Sequence, residues 1–313
     1  IQDISGNDAV SFNTTTAPPR GVWTWDTPYD ASTMATNGCD GAGSTNRTKS
    51  TYLPNGVAYH VGVTGQYLCI NEVTESLAER GGRAGMFVAT GLVTEPGLKL
   101  TTSNWNCAAD AICANRGIMT ISFDDPTTNP IISFAGWGGG SGSSVAWSEM
   151  KLLTPGVTVT QLVGTTATNL TITEGGTRVA PLVKNPSISC SSTSGYGATA
   201  AAGCGSLQIN GTVTSVSFQV DLGTARGSGH IDAWNLTANL PEDFGLVPTT
   251  YESSGVASHG VGSLKLGATV EADQASALYA STNADAVPRW TSLANNAKKD
   301  DGVAAWISSP TIA

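Results

Sequence analysis

GSLQINGTVTSVSFQVDL, residues 205–222, is the stretch that decides the fold. Two runs of alternating apolar and polar residues flank the dipeptide Asn210–Gly211, which favours a tight turn because both residues tolerate a positive φ. Alternation with a period of two residues is typical of a β-strand that has one buried face. The stretch therefore predicts two antiparallel strands that pair as a hairpin around Asn210–Gly211.

The same alternation recurs along much of the chain. In GIMTISFDDP, residues 117–126, it places Met119, Ile121 and Phe123 on one face. Only VTESLAERGG, residues 73–82, predicts a helix, which would have about two turns. Many short strands without a βαβ rhythm predict an all-β fold, an antiparallel β-sandwich with one short helix. Further strands are expected in GVAYHVGVTGQYLCI (56–70), GRAGMFVATGLV (82–93) and HIDAWNLTANLP (230–241). GVTVTQLVGTTATNLTITEGGTRVA (156–180) predicts two strands joined by a polar loop.

The chain of 313 residues is acidic, with a formal net charge of -9 and only 12% charged residues. An acidic chain without a basic cluster argues against nucleic acid as a partner, because phosphates need a basic face. No apolar run is long enough for a membrane span, so membrane insertion is not expected either. The composition favours a secreted, β-rich globular protein.

The cysteines indicate the compartment. An even number of cysteines in a glycine-rich chain without a Cys-x-x-Cys pair favours disulfides over zinc, and hence an extracellular location. Six cysteines allow about 15 pairing schemes. We expect cysteines that are neighbours along the chain to pair, which gives the bridges Cys39–Cys69, Cys107–Cys113 and Cys190–Cys204.

A glycine-rich segment follows an apolar run in DDPTTNPIISFAGWGGGSGSS, residues 124–144. Loops at one end of a rigid sandwich are where β-proteins build binding sites, and glycines let a backbone approach a ligand closely. The indoles of Trp137 and Trp147 are then expected to stack on a sugar or to fill a partner's pocket; the alternative is that both belong to the core. GVWTWDTPY, residues 21–29, offers a second aromatic rim. The candidate ligand-binding residues are Trp137, Gly138, Gly139, Gly140, Ser141, Trp147, Trp25 and Tyr29.

No motif in the sequence predicts catalysis. A glycosidase needs two carboxyl groups at a fixed separation, and Glu72, Glu75, Glu149 and Asp232 are available without a pattern that pairs them. A serine hydrolase needs a Gly-x-Ser-x-Gly elbow, from which residues 139–143 depart at the last position. We therefore expect no catalytic residues and no enzyme. A secreted glycan-active enzyme (glycosidase) and a passive stalk or spacer domain are the alternatives.

Four stretches carry a resemblance to a known family. They are TISFDDPTTNPIISFAGWGG (120–139), NLTITEGGTRVAPLVKNPSI (169–188), GCGSLQINGTVTSVSFQVDL (203–222) and DAWNLTANLPEDFG (232–245). In this order they resemble the non-repetitive, lectin-like domain of CshA-type adhesins, which are long fibrillar proteins of the Gram-positive cell wall. The resemblance implies a lectin-like, jelly-roll-type sandwich.

The alternation weakens near residues 241–245. DFGLVPTTYESSGVASHGVGSLKLGATVEAD (243–273) and DDGVAAW (300–306) resemble part of a small module of bacterial surface proteins. We therefore divide the chain into a lectin-like adhesin β-sandwich, residues 1–242, and a smaller C-terminal β/loop module, residues 243–313. Carboxylates clustered in loops suit calcium as a cofactor, and solvated acids are the alternative. The candidate calcium ligands are Asp243, Glu271, Asp273, Asp300 and Asp301.

The resemblance implies cell adhesion without catalysis. The expected function is that of a bacterial cell-surface adhesin domain, which attaches to a host extracellular-matrix protein such as fibronectin or to glycans on another cell. The resemblance also implies an extracellular location with cell-wall anchoring in the full-length protein. The chain is expected to be a monomeric part of a longer fibrillar protein.

Overall fold

The computed structural model describes residues 24–25, 47–53, 57–72, 76–83, 86–87, 93–94, 96–138, 146–162, 169–182, 190, 202–225, 230–240, 242–244 and 258–260. These residues form sixteen strands and one short 3₁₀ helix, Leu77–Arg80. The strands are β1 Thr24–Trp25, β2 Arg47–Tyr52, β3 Ala58–Thr64, β4 Leu68–Glu72, β5 Leu98–Ser103, β6 Ala111–Thr128, β7 Ile131–Trp137, β8 Ala146–Leu152, β9 Thr158–Leu162, β10 Leu170–Thr173, β11 Arg178–Pro181, β12 Gly203–Asn210, β13 Thr212–Thr224, β14 Ile231–Asn239, β15 Glu242–Phe244 and β16 Ser258–Gly260.

Two antiparallel sheets contain all but two of these strands. The first sheet has eight strands in the order β1-β2-β3-β6-β13-β8-β11-β10, and the second has six in the order β4-β5-β14-β7-β12-β9. Buried apolar side chains from both sheets form one large core. The predicted all-β sandwich is therefore confirmed.

Eight strands have the connectivity of a jelly roll. Along the chain, β5 to β8 alternate between the two sheets. Strand β11 then lies beside β8 in the first sheet, and β12 to β14 alternate between the sheets again. The last two strands insert between earlier ones, β13 between β6 and β8 and β14 between β5 and β7. Two interlocked Greek keys of this kind are the jelly-roll arrangement. The remaining strands of the two large sheets extend their edges.

The core lies between the sheets and is rich in large side chains. Phe134, Trp137 and Trp234 form its aromatic centre, with the Phe134 and Trp137 rings stacked at 4.9 Å and the two indoles edge-on at 5.8 Å. Burying one such side chain contributes roughly 1.5–3 kcal/mol. The alternation predicted for residues 117–126 is confirmed, because Met119, Ile121 and Phe123 all face this core.

The expected hairpin at Asn210–Gly211 is wrong in one respect. The chain does reverse there, at Gly211 with φ of 121°, but β12 belongs to the second sheet and β13 to the first. The turn is therefore a corner between the layers. A second corner, at Asn129, packs against it: the Asn129 amide donates to the Gly211 carbonyl at 2.9 Å, and the Gly211 amide donates to Asn129 Oδ1 at 2.9 Å. Turn chemistry marks a reversal, but it does not say in which sheet the next strand pairs.

Three other local expectations need correction. The helix has a single 3₁₀ turn instead of two α-helical turns, and Gly81 ends it in a left-handed conformation with φ of 89°. Residues 156–180 hold three strands, β9, β10 and β11, instead of two. The described residues of the strand expected at 82–93 lie in no strand, and three of them, Met86, Phe87 and Val93, are buried in a smaller cluster.

Two of the three predicted disulfides are confirmed. Cys107 pairs with Cys113 at a Cα–Cα distance of 6.0 Å, and Cys190 pairs with Cys204 at 6.2 Å. Cys69 is also disulfide-bonded, whereas Cys39 lies outside the described residues.

The division of the chain at residue 242 stays a prediction. Strands β15 and β16 form a two-stranded sheet that is separate from the two large ones. No helix among the described residues is long and apolar enough to cross a membrane.

Candidate functional site

One end of the sandwich, here called the loop end, collects several connections. The strand register places these connections at the same end, because terminal residues of neighbouring strands pair with each other there: Ile231 with Ser103, Thr224 with Ala111, and Gly203 with Trp137. The loop end is defined by the strand ends that meet there, which are Ser103, Ala111, Trp137, Ala146, Pro181, Gly203, Thr224 and Ile231. Both confirmed disulfides belong to it.

The segment 104–110 presents an exposed tryptophan on a fixed backbone. Trp105 is 44% exposed. Two residues later, the Cys107–Cys113 bridge ties the chain to β6. The base of the segment is tied to the start of β14, because the Asn104 amide donates to the His230 carbonyl at 2.9 Å and the His230 amide donates to Asn104 Oδ1 at 2.6 Å. A short loop closed on both sides has little freedom to bury its indole.

A buried arginine supports the same tryptophan from below. Arg116 Nη2 donates to the Trp105 carbonyl at 2.7 Å, and the Arg116 guanidinium lies 3.7 Å from the centre of the Tyr67 ring. Burial lowers the pKa of Arg116, and the neighbouring Tyr67 partly offsets that effect. This cation–π contact and the carbonyl hydrogen bond hold the backbone at Trp105 in place.

Exposed apolar side chains concentrate at the loop end. Of the five large apolar side chains that are exposed in the described part of the chain, four lie there, and Leu153 lies at the opposite end. Ile112 is next to the bridged Cys113, and Ile231 pairs with the last residue of β5, two positions before Trp105. A concentration of apolar surface on a soluble protein marks an interaction surface. The four residues are Trp105, Ile112, Leu182 and Ile231.

A single carboxylate holds both sides of the glycine-rich segment. Asp232 is buried between the sheets, and its two oxygens accept from the Gly138 amide at 2.9 Å and from the Ser148 amide at 2.6 Å. Burial raises the pKa of Asp232 to about 6, although the bonds from Ser148 and Gly138 and the charge of Arg80 act in the lowering direction. Asp232 therefore ties the end of β7 to the start of β8.

The prediction that Trp137 and Trp147 contact a ligand is wrong. Trp137 is fully buried and Trp147 nearly so, with its Nε1 donating to Glu149 Oε1 at 3.0 Å. Strict alternation along β7 would turn Trp137 outward with Ala135. Instead, β7 and β12 change register between Gly203 and Cys204, and Gly136 adopts φ of 96°. This bulge turns the following indole into the core.

Other predicted site residues are only partly described. Gly138 is anchored to Asp232 as above. Trp25 lies in β1 and Asp243 in β15, but their side chains are not described. Among the described residues, no group of three His, Cys, Asp or Glu side chains is arranged to hold a metal ion, so calcium stays a prediction. The predicted residues outside the described ranges are Tyr29, Gly139, Gly140, Ser141, Glu271, Asp273, Asp300 and Asp301.

One pair of carboxylates does come together, on the outer face of the first sheet. Glu149 and Asp221 are buried and directly opposite each other on β8 and β13. Arg178 Nη2 bridges them, at 2.8 Å from Glu149 and 3.1 Å from Asp221. Burial lowers the pKa of Arg178, but the two carboxylates outweigh burial and raise it. Two acids held by one arginine in this way serve structure better than proton transfer.

Sequence reasoning missed Trp105, although a signal was present. Trp105 lies two residues before Cys107, whose expected bridge to Cys113 fixes the chain next to this indole, in SNWNCAADAIC, residues 103–113. A large aromatic residue beside a short closed loop has little chain around it that could cover its ring. Indoles that border glycines, such as Trp137, carry no such constraint.

No protein-family model, curated protein or solved structure matches this chain.

Proposed function

We propose that this chain is the ligand-binding domain of a bacterial cell-surface adhesin, which attaches by its loop end to an extracellular-matrix protein. The observation that carries the proposal is the concentration of exposed apolar side chains, Trp105 among them, at a disulfide-braced end of the sandwich. Tryptophan is among the residues that most often dominate the energetics of protein interfaces. A rigid indole also loses little conformational freedom on binding.

The apolar character of this surface favours a protein partner over a glycan. A sugar presents hydroxyl groups along its edges and needs polar side chains around a stacking ring. Here the other large apolar side chains exposed at the loop end are all aliphatic, namely Ile112, Leu182 and Ile231. An interface core with aromatic and aliphatic residues is typical of protein–protein recognition. Glycan binding is the second candidate, because one exposed indole is sufficient for stacking.

The charge of the chain indicates what kind of protein surface fits. With a formal net charge of -9, the chain attracts a partner that carries a basic patch and repels an acidic one. Such complementarity acts mainly on the association rate and weakens as salt is added.

The two other functions considered have less support. The only opposed pair of buried carboxylates among the described residues, Glu149 and Asp221, shares the guanidinium of Arg178. This arrangement does not favour a glycosidase, which needs one carboxyl group protonated and the other free. A passive spacer has no need of an exposed, braced tryptophan.

Binding of immobilised fibronectin, measured by biolayer interferometry, tests the proposal. We expect Trp105→Ala to weaken binding by about 30-fold, or ~2 kcal/mol, as for a central interface tryptophan. Leu153→Ala is the matched control, because Leu153 is similarly exposed, at 40%, but lies at the opposite end. Its affinity should stay within about two-fold of the wild type.

A glycan array run in parallel separates the two candidate partners. Binding to the array alone, with the same loss in Trp105→Ala, would move the proposal to the glycan alternative. Equal binding by wild type, Trp105→Ala and Leu153→Ala would place the interface away from the loop end and refute the proposal.

A further inference from the structure

A serine, a histidine and an aspartate meet on the outer face of the first sheet, on three adjacent strands. Ser50 on β2 pairs directly with His60 on β3, and His60 pairs with Ser122 on β6, two residues before Asp124. Tyr59 and Val61 point into the core, so His60 points outward. Ser50 Oγ lies 2.5 Å from His60 Nδ1, and His60 Nε2 lies 2.8 Å from Asp124 Oδ1.

The aspartate assigns the protons in this chain of hydrogen bonds. An ionised carboxylate can only accept, so His60 Nε2 carries the proton that it donates to Asp124. In the neutral imidazole, Nδ1 is then the acceptor, and the Ser50 hydroxyl donates to it. The order is that of nucleophile, general base and orienting acid, although the two ring nitrogens are exchanged relative to the serine-protease triad.

Exposure increases along the triad from the serine to the aspartate. Ser50 is 8% exposed, while the side chains of His60 and Asp124 are 23% and 64% exposed. Solvent therefore reaches the general base, and the largely covered nucleophile leaves room only for a small reacting group.

We propose that Ser50, His60 and Asp124 form a nucleophilic centre that reacts with small carboxylic esters. Ser50 Oγ attacks the ester carbonyl carbon, and its proton passes to His60 Nδ1. The bond from the carbonyl carbon to the alcohol oxygen breaks, and the departing alcohol takes that proton from Nδ1. Water, deprotonated by the same Nδ1, then attacks the acyl-serine, which releases the carboxylic acid and returns the proton to Ser50.

This centre is independent of the loop end. It uses β2, β3 and β6 on the outer face of the first sheet, and none of its residues contributes to the surface around Trp105. Spacing along the chain gives no sign of it, because 10 residues separate Ser50 from His60 and 64 separate His60 from Asp124. Strand pairing alone brings the three together.

Covalent labelling of the full chain with a fluorophosphonate tests the proposal. We expect one adduct by intact mass, located on Ser50 by peptide mapping, and none in Ser50→Ala. His60→Gln and Asp124→Asn should label at least ~100-fold and ~10-fold more slowly, since a positioned general base contributes about 10²–10⁴. Hydrolysis of p-nitrophenyl acetate should fall in the same order.

Matched variants keep the result interpretable. Ser217→Ala removes a serine on the same sheet that bonds to Thr120 instead of a histidine, and it should label like wild type. Leu153→Ala, at an exposed residue outside both the triad and the loop end, should also label like wild type. Asp124 is exposed, so Asp124→Asn remains testable if His60→Gln does not fold. Absence of an adduct on Ser50, or equal labelling rates in wild type and Asp124→Asn, would reduce the triad to a structural hydrogen-bond chain.

Discussion

Replacing Asp232 with asparagine tests how the glycine-rich segment is attached to the sandwich. The substitution keeps the shape of the side chain and removes its ability to ionise. In the wild type, this carboxylate accepts from the Gly138 and Ser148 amides on the two sides of the segment. Its burial between the sheets makes the charged form costly, which is why its pKa rises to about 6.

The size of the effect follows from the two pKa values. An unfolded aspartate titrates near ~3.9, so between that value and about 6 the folded state binds more protons than the unfolded state. The contribution of Asp232 to stability is therefore fully present below the unfolded pKa and is lost as the pH rises through the folded pKa. The difference amounts to ~3 kcal/mol of unfolding free energy.

Urea denaturation of wild type and Asp232→Asn at pH 4, 5, 6 and 7.5 measures this linkage. We expect similar stabilities at pH 4, where a protonated aspartate resembles asparagine, and a variant that gains ~3 kcal/mol relative to wild type by pH 7.5. Asp125→Asn is the control, since Asp125 is exposed. If the difference in unfolding free energy between the two proteins does not change with pH, the hydrogen bonds from the two amides offset the effect of burial on the pKa of Asp232. A difference that changes in the opposite direction would refute the reasoning.

Two further substitutions test the core and the buried ion cluster. Trp137→Ala should cost about 3–5 kcal/mol in urea denaturation, because its ring is fully buried against Phe134 and Trp234; a loss below about 1 kcal/mol would mean that the indole is not a core residue. Arg178→Met should cost roughly 3–5 kcal/mol, because it leaves two buried carboxylates without their cation. Lys151→Met, at the exposed position opposite Arg178 in the register, is its control and should be nearly neutral; equal losses in both variants would contradict the argument.

The fold class follows from the sequence because a period of two residues is a local property. Alternation such as that of Met119, Ile121 and Phe123 says which residues face the core, and it does so correctly. It does not say which of two layers a strand joins. Asn210–Gly211 could end a hairpin or turn a corner between sheets, and only the pairing of distant strands such as β7 with β12 decides between them.

The candidate site was less accessible to sequence reasoning, for two physical reasons. A bulge at Gly136 turns the side chain of Trp137 from the outer face of β7 into the core. The pattern of apolar and polar residues before a bulge does not reveal that the bulge is there. Strand β7 is also buried on both faces, because a smaller cluster with Leu77 and Phe87 covers Ala135 on its outer side. By contrast, the expected Cys107–Cys113 bridge was a signal in the sequence that the chain is fixed two residues after Trp105.

Hydrogen exchange measured by mass spectrometry, on the full chain with and without fibronectin, tests most directly whether recognition occurs at the loop end. Bound partner should slow amide exchange in peptides that cover residues 104–113 and 230–232, and it should leave residues 153–157 at the opposite end unchanged. Protection of residues 153–157, or of the outer sheet strands β2 and β3, without protection around Trp105 would contradict the account.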